Sequence, residues 1–237
     1  MQKNKRPSFS DVTVILPTLN ERSNIAPLIE ELHDRCDGLQ ILVVDDSSED
    51  GTPEMVNSLS RKLPFVHLLS RRGKIRGLTA SIIDGLRNAQ TEYVIVMDGD
   101  GQHPPERISE LVPLLKTGRD IVVACRESVP GWSASRQLMS RGADGLGHLR
   151  LSLSNSASCS DIMSGFFGVR RDFALSLYER NQRRFVPEGY KFLFDLLKCC
   201  PKDTNIAEVG YVFGTRKGGA SKIGSKQCVA FVKSLLT

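Results

Sequence analysis

Five short apolar runs, separated by stretches with helical spacing, constrain this chain more than any other feature. The runs are Val12–Leu16, Gln40–Val44, Phe65–Leu69, Tyr93–Met97 and Ile121–Cys125. Mostly apolar segments of this length, without alternation, suit strands covered on both faces, as in a parallel sheet. Between them, Ile25, Leu28, Ile29 and Leu32 share one helical face, as do Val56, Leu59 and Leu63, then Leu78, Ile82 and Leu86, then Ile108, Leu111, Val112 and Leu115. Ser23 or Asn24 is placed to cap the first helix, and Pro53 and Pro104-Pro105 suit the first turns of later ones. The alternation predicts an α/β fold, a mainly parallel sheet flanked by helices. A chain of 237 residues is long enough to bury the core of one such domain.

The second half is less regular. Residues 128 to 160 hold Trp132 and scattered leucines among Ser and Gly, and read as short helices and a mobile loop. Phe166–Val169 reads as a strand, Arg171–Arg180 as a helix, Gly189–Cys200 as a helix burying Phe192, Leu193, Leu196 and Leu197, and Ala207–Phe213 as a late strand. A Gly/Lys/Ser-rich loop, 214 to 226, leads into an apolar pattern from Cys228 to Leu236. The expected division is a tail over 1–10, one α/β domain over 11–226, and over 227–237 an apolar helical pattern that stops short. The N-terminal stretch is basic without an apolar core, so it does not read as a signal peptide, and no run of about 18 apolar residues is present.

The net charge of +5 suits phosphorylated ligands or an anionic membrane surface. The few aromatics are not interleaved with the basic runs, so nucleic-acid binding has no support. Six cysteines without a C-x-x-C pair read as reduced, structural thiols, and argue against a zinc site.

The candidate chemistry sits after the strands. Asn20-Glu21, Asp45-Asp46 and Asp98-Gly99-Asp100-Gly101-Gln102-His103 each follow an apolar run. In open α/β sheets, ligands bind beyond the carboxyl ends of strands, so three such clusters converge on one crevice. Two carboxylates one residue apart, with an amide beyond, suit a hard divalent cation that takes oxygen ligands. Such a set suits a nucleotide whose diphosphate is bridged by the metal. Taken alone, Asp98-x-Asp100 is equally an acidic turn. No G-x-G-x-x-G follows the first strand and no Walker sequence occurs, which disfavours dinucleotide and P-loop folds. His33 and His67 read as structural, while His103 and His148 have no assignable role.

Together, Ile15-Leu16-Pro17-Thr18-Leu19-Asn20-Glu21, Asp45-Asp46-Ser47-x-x-Asp50-Gly51-Thr52 and Asp98-Gly99-Asp100-Gly101-Gln102-His103-Pro104 resemble the motifs of family 2 glycosyltransferases with the GT-A fold. Asp161-Ile162-Met163-Ser164-Gly165-Phe166-Phe167, Gly189-Tyr190-Lys191 and Arg216-x-x-Gly219-x-Ser221-Lys222 narrow the resemblance to dolichol- or polyprenol-phosphate mannosyltransferases. The likeness runs from about Val12 to the end; Gly99, where alanine is usual, departs by one methyl group.

The resemblance implies transfer of mannose from GDP-mannose to a polyprenyl phosphate, with inversion, at the cytoplasmic face of a membrane. It implies a GT-A glycosyltransferase domain over 11–226, and over 227–237 the start of an amphipathic juxtamembrane helix cut before transmembrane segments. It implies Pro17, Glu21, Asp45, Asp46 and Asp98 on the nucleotide, and Asp98, Asp100 and Gln102 on Mg²⁺ or Mn²⁺. Asp100, Arg126, Arg216 and Lys222 become the catalytic set, with Ser164, Arg126 and Lys222 on the acceptor side. The acceptor, a phosphate monoester, is its own nucleophile, so no catalytic base is expected. Arg71-Arg72 and Lys74 read equally as a solvated loop or a phosphate or membrane contact, and Lys217 and Lys226 as surface charges facing anionic lipid. A UDP-sugar donor, and a nucleotide-sugar-binding subunit without catalysis, remain the alternatives. Oligomeric state is not legible.

Overall fold

The computed structural model describes residues 8–129, 134–214 and 225–237. Seven strands form one sheet: β1 (Val12–Thr18), β2 (Gln40–Asp45), β3 (Val66–Ser70), β4 (Tyr93–Val96), β5 (Ile121–Ser128), β6 (Phe167–Arg170) and β7 (Ile206–Val212). Their spatial order is β3-β2-β1-β4-β6-β5-β7. All neighbours run parallel except β6, which is antiparallel to both β4 and β5.

Every residue of β1 is buried, because helices cover both faces. Val12, Val14 and Leu16 face one core with α1 (Arg22–Arg35) and α4 (Ile108–Lys116), while Ile15 faces a second core with α3 (Leu78–Asn88) and α7 (Phe192–Leu197). This two-sided burial explains why the strand reads as a continuous apolar run. From β1 the chain winds outward through α2 (Thr52–Ser60) to β3, then returns so that β4 pairs on the other side of β1. The winding reverses between β1 and β4, and crevices at such points take ligands.

The region read as short helices is instead one long helix, α5 (Ala134–Leu153). Its leucines occupy both sides, which erased the helical period: Leu151 is buried, whereas Leu138, Met139, Leu146, Leu149 and Leu153 are exposed. Gly147 lies where a Cβ would crowd Ile162, so the helix approaches the core closely. The expected helix over Gly189–Cys200 is shorter, and α6 (Arg171–Arg180) forms as expected.

The last helix, α8 (Ser225–Leu236), packs Phe231 against Phe194 of α7, with ring centroids 5.9 Å apart. A buried ion pair reinforces the joint. Lys198 Nζ lies 2.9 Å from Asp195 Oδ1 and donates to the carbonyls of Arg184 and Ser234 and to Thr237 Oγ1, while Ser234 Oγ donates to Asp195.

Candidate active site

The crevice is built from the turns that end β1, β2 and β4. Asn20 and Ser47 both take left-handed backbone conformations, with φ of 53° and 66°, and the turns they shape are laced together. Asn20 N donates to Ser48 Oγ, Glu49 N to Asn20 Oδ1, and Glu21 N to Thr52 Oγ1. Asp45 is wholly buried and accepts from Ser48 N (3.0 Å), Ser48 Oγ (2.5 Å) and Thr18 Oγ1 (3.3 Å). The structure thus places Asp45 as the brace of this turn. Asp50 accepts from Thr52 N and Oγ1 and from Arg22 N, tying the start of α2 to that of α1. Glu21 is buried beside Asn24, whose Nδ2 donates to Oε2 at 2.7 Å, and Pro17 is buried within β1.

Asp46 points the other way, into a polar cluster under α3. Its carboxylate accepts from Gly77 N at 2.7 Å and from Arg71 Nη1. Arg71 also donates from Nε to Asp84 (2.9 Å), from Nη1 to Ser81 Oγ and from Nη2 to the Ile75 carbonyl. A guanidinium so fully engaged and only 2% exposed is neither a solvated loop residue nor a phosphate grip; it holds the turn after β2 through Asp46. Burial raises the Asp46 pKa, with the Gly77 N–H and Arg71 only partly opposing it. Gly77 is required here, since a Cβ would collide with the Pro187 carbonyl.

After β4, Asp98, Asp100 and Gln102 line the loop that faces this crevice. Asp100 Oδ1 accepts from Gln102 N at 3.1 Å, and Gln102 Nε2 donates to the Gly214 carbonyl at 2.9 Å. The amide nitrogen is thereby engaged, and the oxygen Oε1 is the atom a cation would take. Among the described residues no group of three acidic, His or Cys side chains could hold a metal alone. Two carboxylates and an amide nevertheless fit Mg²⁺ or Mn²⁺, which is usually held by one or two carboxylates and completed by phosphate oxygens. Asp98 Oδ2 lies 3.3 Å from His103 Nε2. Withdrawal from water pushes its carboxyl up, but His103, then Lys191 and Arg126, outweigh this and hold it below the ordinary carboxylate range.

Opposite stands a cationic pair. Arg126, at the end of β5, donates to Asp161 through Nε and Nη2, each at 2.7 Å, a two-pronged grip that fixes the plane of the guanidinium. Burial lowers the Arg126 pKa but Asp161 more than restores it, so the net shift is upward. Lys191 Nζ donates to the Met163 carbonyl at 2.9 Å. Burial, helped by the Arg126 charge, lowers its ammonium to about 8, against the pull of Asp98, Asp161 and Asp144. Ser164 sits in the turn between: its hydroxyl donates to the Ala124 carbonyl (2.7 Å) and accepts from Phe166 N (3.1 Å). Its hydroxyl is therefore turned to the backbone. Arg216, Lys217 and Lys222 lie outside the described residues, as does Trp132.

The structure brings Asp98, Asp100, Gln102 and Arg126 to one end of the sheet. It adds His103, Asp161 and Lys191, to which the sequence reading assigned no role. Asp161 and Lys191 lie inside the Asp161–Phe167 and Gly189–Lys191 stretches, so the signal was a motif position without a partner.

The glycosyl transferase family 2 model matches residues 13–177, well over half of the chain. The chain belongs to glycosyl transferase family 2. It is 36% identical, over 94% of its length, to a dolichol-phosphate mannosyltransferase of Pyrococcus furiosus, and spans 62% of that protein. A protein of the same name from Mycosarcoma maydis is 31% identical over 97% of this chain and 79% of its own length. Among solved structures, glucosyl-3-phosphoglycerate synthase of Mycobacterium tuberculosis, in complex with Mn²⁺, uridine diphosphate and glucosyl-3-phosphoglycerate, superposes with a TM-score of 0.66 at 21% identity, covering 95% of this chain and 78% of that one. Mannosyl-3-phosphoglycerate synthase of Rubrobacter xylanophilus gives 0.65 at 18% identity, covering 95% and 72%. These likenesses establish the fold of this family 2 chain as GT-A.

Proposed function

We propose that this chain transfers mannose, with inversion, from GDP-mannose to a polyprenyl monophosphate, yielding polyprenyl phosphomannose and GDP. The observation that carries the reading is the meeting of the Asp98, Asp100 and Gln102 oxygen set with Arg126 and Lys191 in one crevice, in a chain whose relatives are named dolichol-phosphate mannosyltransferases. An acceptor phosphate oxygen bonds to the sugar C1 while the C1–O bond to the diphosphate breaks, its electron pair leaving on GDP. A phosphate monoester carries about −1.5 to −2 at neutral pH, so no side chain has a proton to remove. Mg²⁺ or Mn²⁺, when bound, would neutralise charge on the departing diphosphate.

The protein's part is to keep two anionic groups together. Asp98, Asp100 and Gln102 hold the cation, with Pro17 and Glu21 on the nucleotide side and Asp46 serving it through the Arg71–Gly77 cluster that it closes. Asp45 serves that side through the turn it braces, and Ser164 serves the acceptor side through its turn. Arg126 and Lys191, with Arg216 and Lys222, offer cationic groups to phosphate oxygens.

A lipid acceptor requires a membrane-facing side, and α5 and α8 supply a candidate. Leu138, Met139, Leu146, Leu149 and Leu153 of α5 and Val229, Val232 and Leu236 of α8 are exposed. Arg150 Nε bonds the Leu235 carbonyl, joining the two helices. Apolar residues beside Arg141, Arg150, Lys226 and Lys233 suit an anionic bilayer interface. Among the described residues no helix is long and apolar enough to cross a membrane. The free cysteines favour the reducing, cytoplasmic face.

The test is transfer of labelled sugar into an organic-extractable product, with polyprenyl phosphate vesicles and Mn²⁺, comparing GDP-mannose with UDP-glucose and UDP-N-acetylglucosamine. GDP-mannose should be preferred by a wide margin. Preference for a UDP-sugar overturns the donor assignment, and absence of lipid-linked product from every donor overturns the enzyme reading.

A further inference from the structure

His103 has no role in any of the motifs, yet the fold gives it partners on two separate elements. Its buried ring lies among Phe166, Tyr211 and Phe213, with centroids 5.3, 5.8 and 5.3 Å away. Nδ1 is 2.7 Å from the Tyr211 hydroxyl on β7, and Nε2 is 3.3 Å from Asp98 Oδ2. One placement of protons satisfies all three groups: the phenol donates to Nδ1, and the Nε2 proton is donated to the carboxylate. Burial raises the phenol's pKa far above its ordinary value, which suits it to the donor's part. The preceding residue, Gln102, exchanges two hydrogen bonds with Gly214, from Nε2 to the Gly214 carbonyl and from Gly214 N to the Gln102 carbonyl, each 2.9 Å. Successive residues of the acidic loop are thus fastened to the end of β7.

Asp98 is bounded on another side as well. A Cβ at Gly165 would collide with Asp98 Oδ2, so the turn at 164–166 limits the carboxylate where the imidazole does not. We propose that His103 is a positioning residue, which relays the fixed Tyr211 hydroxyl of β7 to Asp98 and so sets the direction in which that carboxylate faces the cation and the diphosphate. This rests on the proposed reading of the crevice as a metal–nucleotide-sugar site. Partners that orient metal-binding carboxylates and imidazoles typically change metal affinity about 10- to 100-fold when removed.

The test uses Mn²⁺ binding, followed by electron paramagnetic resonance in the presence of saturating GDP, alongside thermal melts of each variant. His103→Phe keeps an aromatic ring among Phe166, Tyr211 and Phe213 but loses both hydrogen bonds. It should weaken Mn²⁺ by about 10-fold or more. Tyr211→Phe removes one hydroxyl and should weaken it less, and the double variant should be no weaker than His103→Phe alone. His103→Gln, which returns an N–H donor toward Asp98, should recover most of the affinity. If His103→Phe does not fold, Tyr211→Phe decides. Variants that bind Mn²⁺ like wild type, whatever their melting temperatures, overturn the proposal and leave the site reading intact. Failure of the wild type to bind Mn²⁺ with either GDP or UDP overturns both.

Discussion

Asp161 holds Arg126 by both carboxylate oxygens at 2.7 Å and also accepts the Arg126 backbone N–H at 3.1 Å. Side chain and main chain of one residue are thus pinned by a single acid. Both side chains are mostly withdrawn from water, 16% and 10% exposed. Removing one member of such a pair typically costs about 3–5 kcal/mol, because the other charge is left buried. Asp161→Ala should therefore lower stability by about 3 kcal/mol in denaturant titration. Transfer activity should fall more steeply than folded protein is lost. Equal stability to wild type would contradict the geometry.

The same pair predicts an acid limb. Arg126 outweighs burial and holds the Asp161 carboxyl below its ordinary range, so the folded state binds this proton less readily than the unfolded chain. The stabilisation is present above the unfolded value of about 3.9 and is lost as pH falls through the folded one. Melting temperature should drop below about pH 4, and less so in Asp161→Asn.

Lys191 gives the opposite limb. Its ammonium is lowered to about 8 from 10.5, so the unfolded state holds the proton more tightly. Stability from this group should rise with pH between those values, because deprotonation relieves the cost of a buried charge. Activity that depends on the cation should decline over the same interval. A pH–rate profile of wild type against Lys191→Met should show a descending limb near pH 8 in the first only.

Ser164 separates two readings of one motif. Its hydroxyl bonds the Ala124 carbonyl, the Phe166 carbonyl and Phe166 N. Ser164→Ala should cost about 1 kcal/mol or somewhat more in stability. The apparent KM for polyprenyl phosphate should stay near wild type once folded protein is normalised. A large rise in that KM at unchanged stability would assign the hydroxyl to the acceptor instead.

The apolar face of α5 and α8 predicts a lipid dependence. Leu149→Asp with Leu153→Asp should abolish most co-sedimentation with vesicles containing anionic lipid. Turnover of a short-chain, water-soluble acceptor should be retained. Unchanged vesicle binding would remove this face from consideration.

Much of the sheet is legible in the sequence. The runs that became β1, β2, β4 and β5 are buried on both faces, so their composition alone marked them. The place of the Asp98–Gln102 loop beyond the end of β4 was legible because the apolar run before it reads as a strand. What was hidden depends on long-range pairing. Asp45 and Asp46 are adjacent in sequence, yet one braces a turn and the other pairs with Arg71, because successive residues at a strand end point to opposite sides. Arg71 looked like part of a basic loop, since nothing in Arg71-Arg72-Gly73-Lys74 reveals that Asp46 and Asp84 close over it. His103 and Tyr211 are 108 positions apart. The helix α5 lacked a helical period because it presents leucines to both the core and the exterior.

Gly165 meets Asp98 with no room for a methyl group between them. The turn that follows Asp161 and the acid that follows β4 therefore share a single clearance, with no slack in it. A shift of either is felt at once by the other, so the distance between the Arg126–Asp161 side of the crevice and the Asp98 loop is gauged by backbone against carboxylate. A site of this kind is tuned for distance by the smallest residue in it.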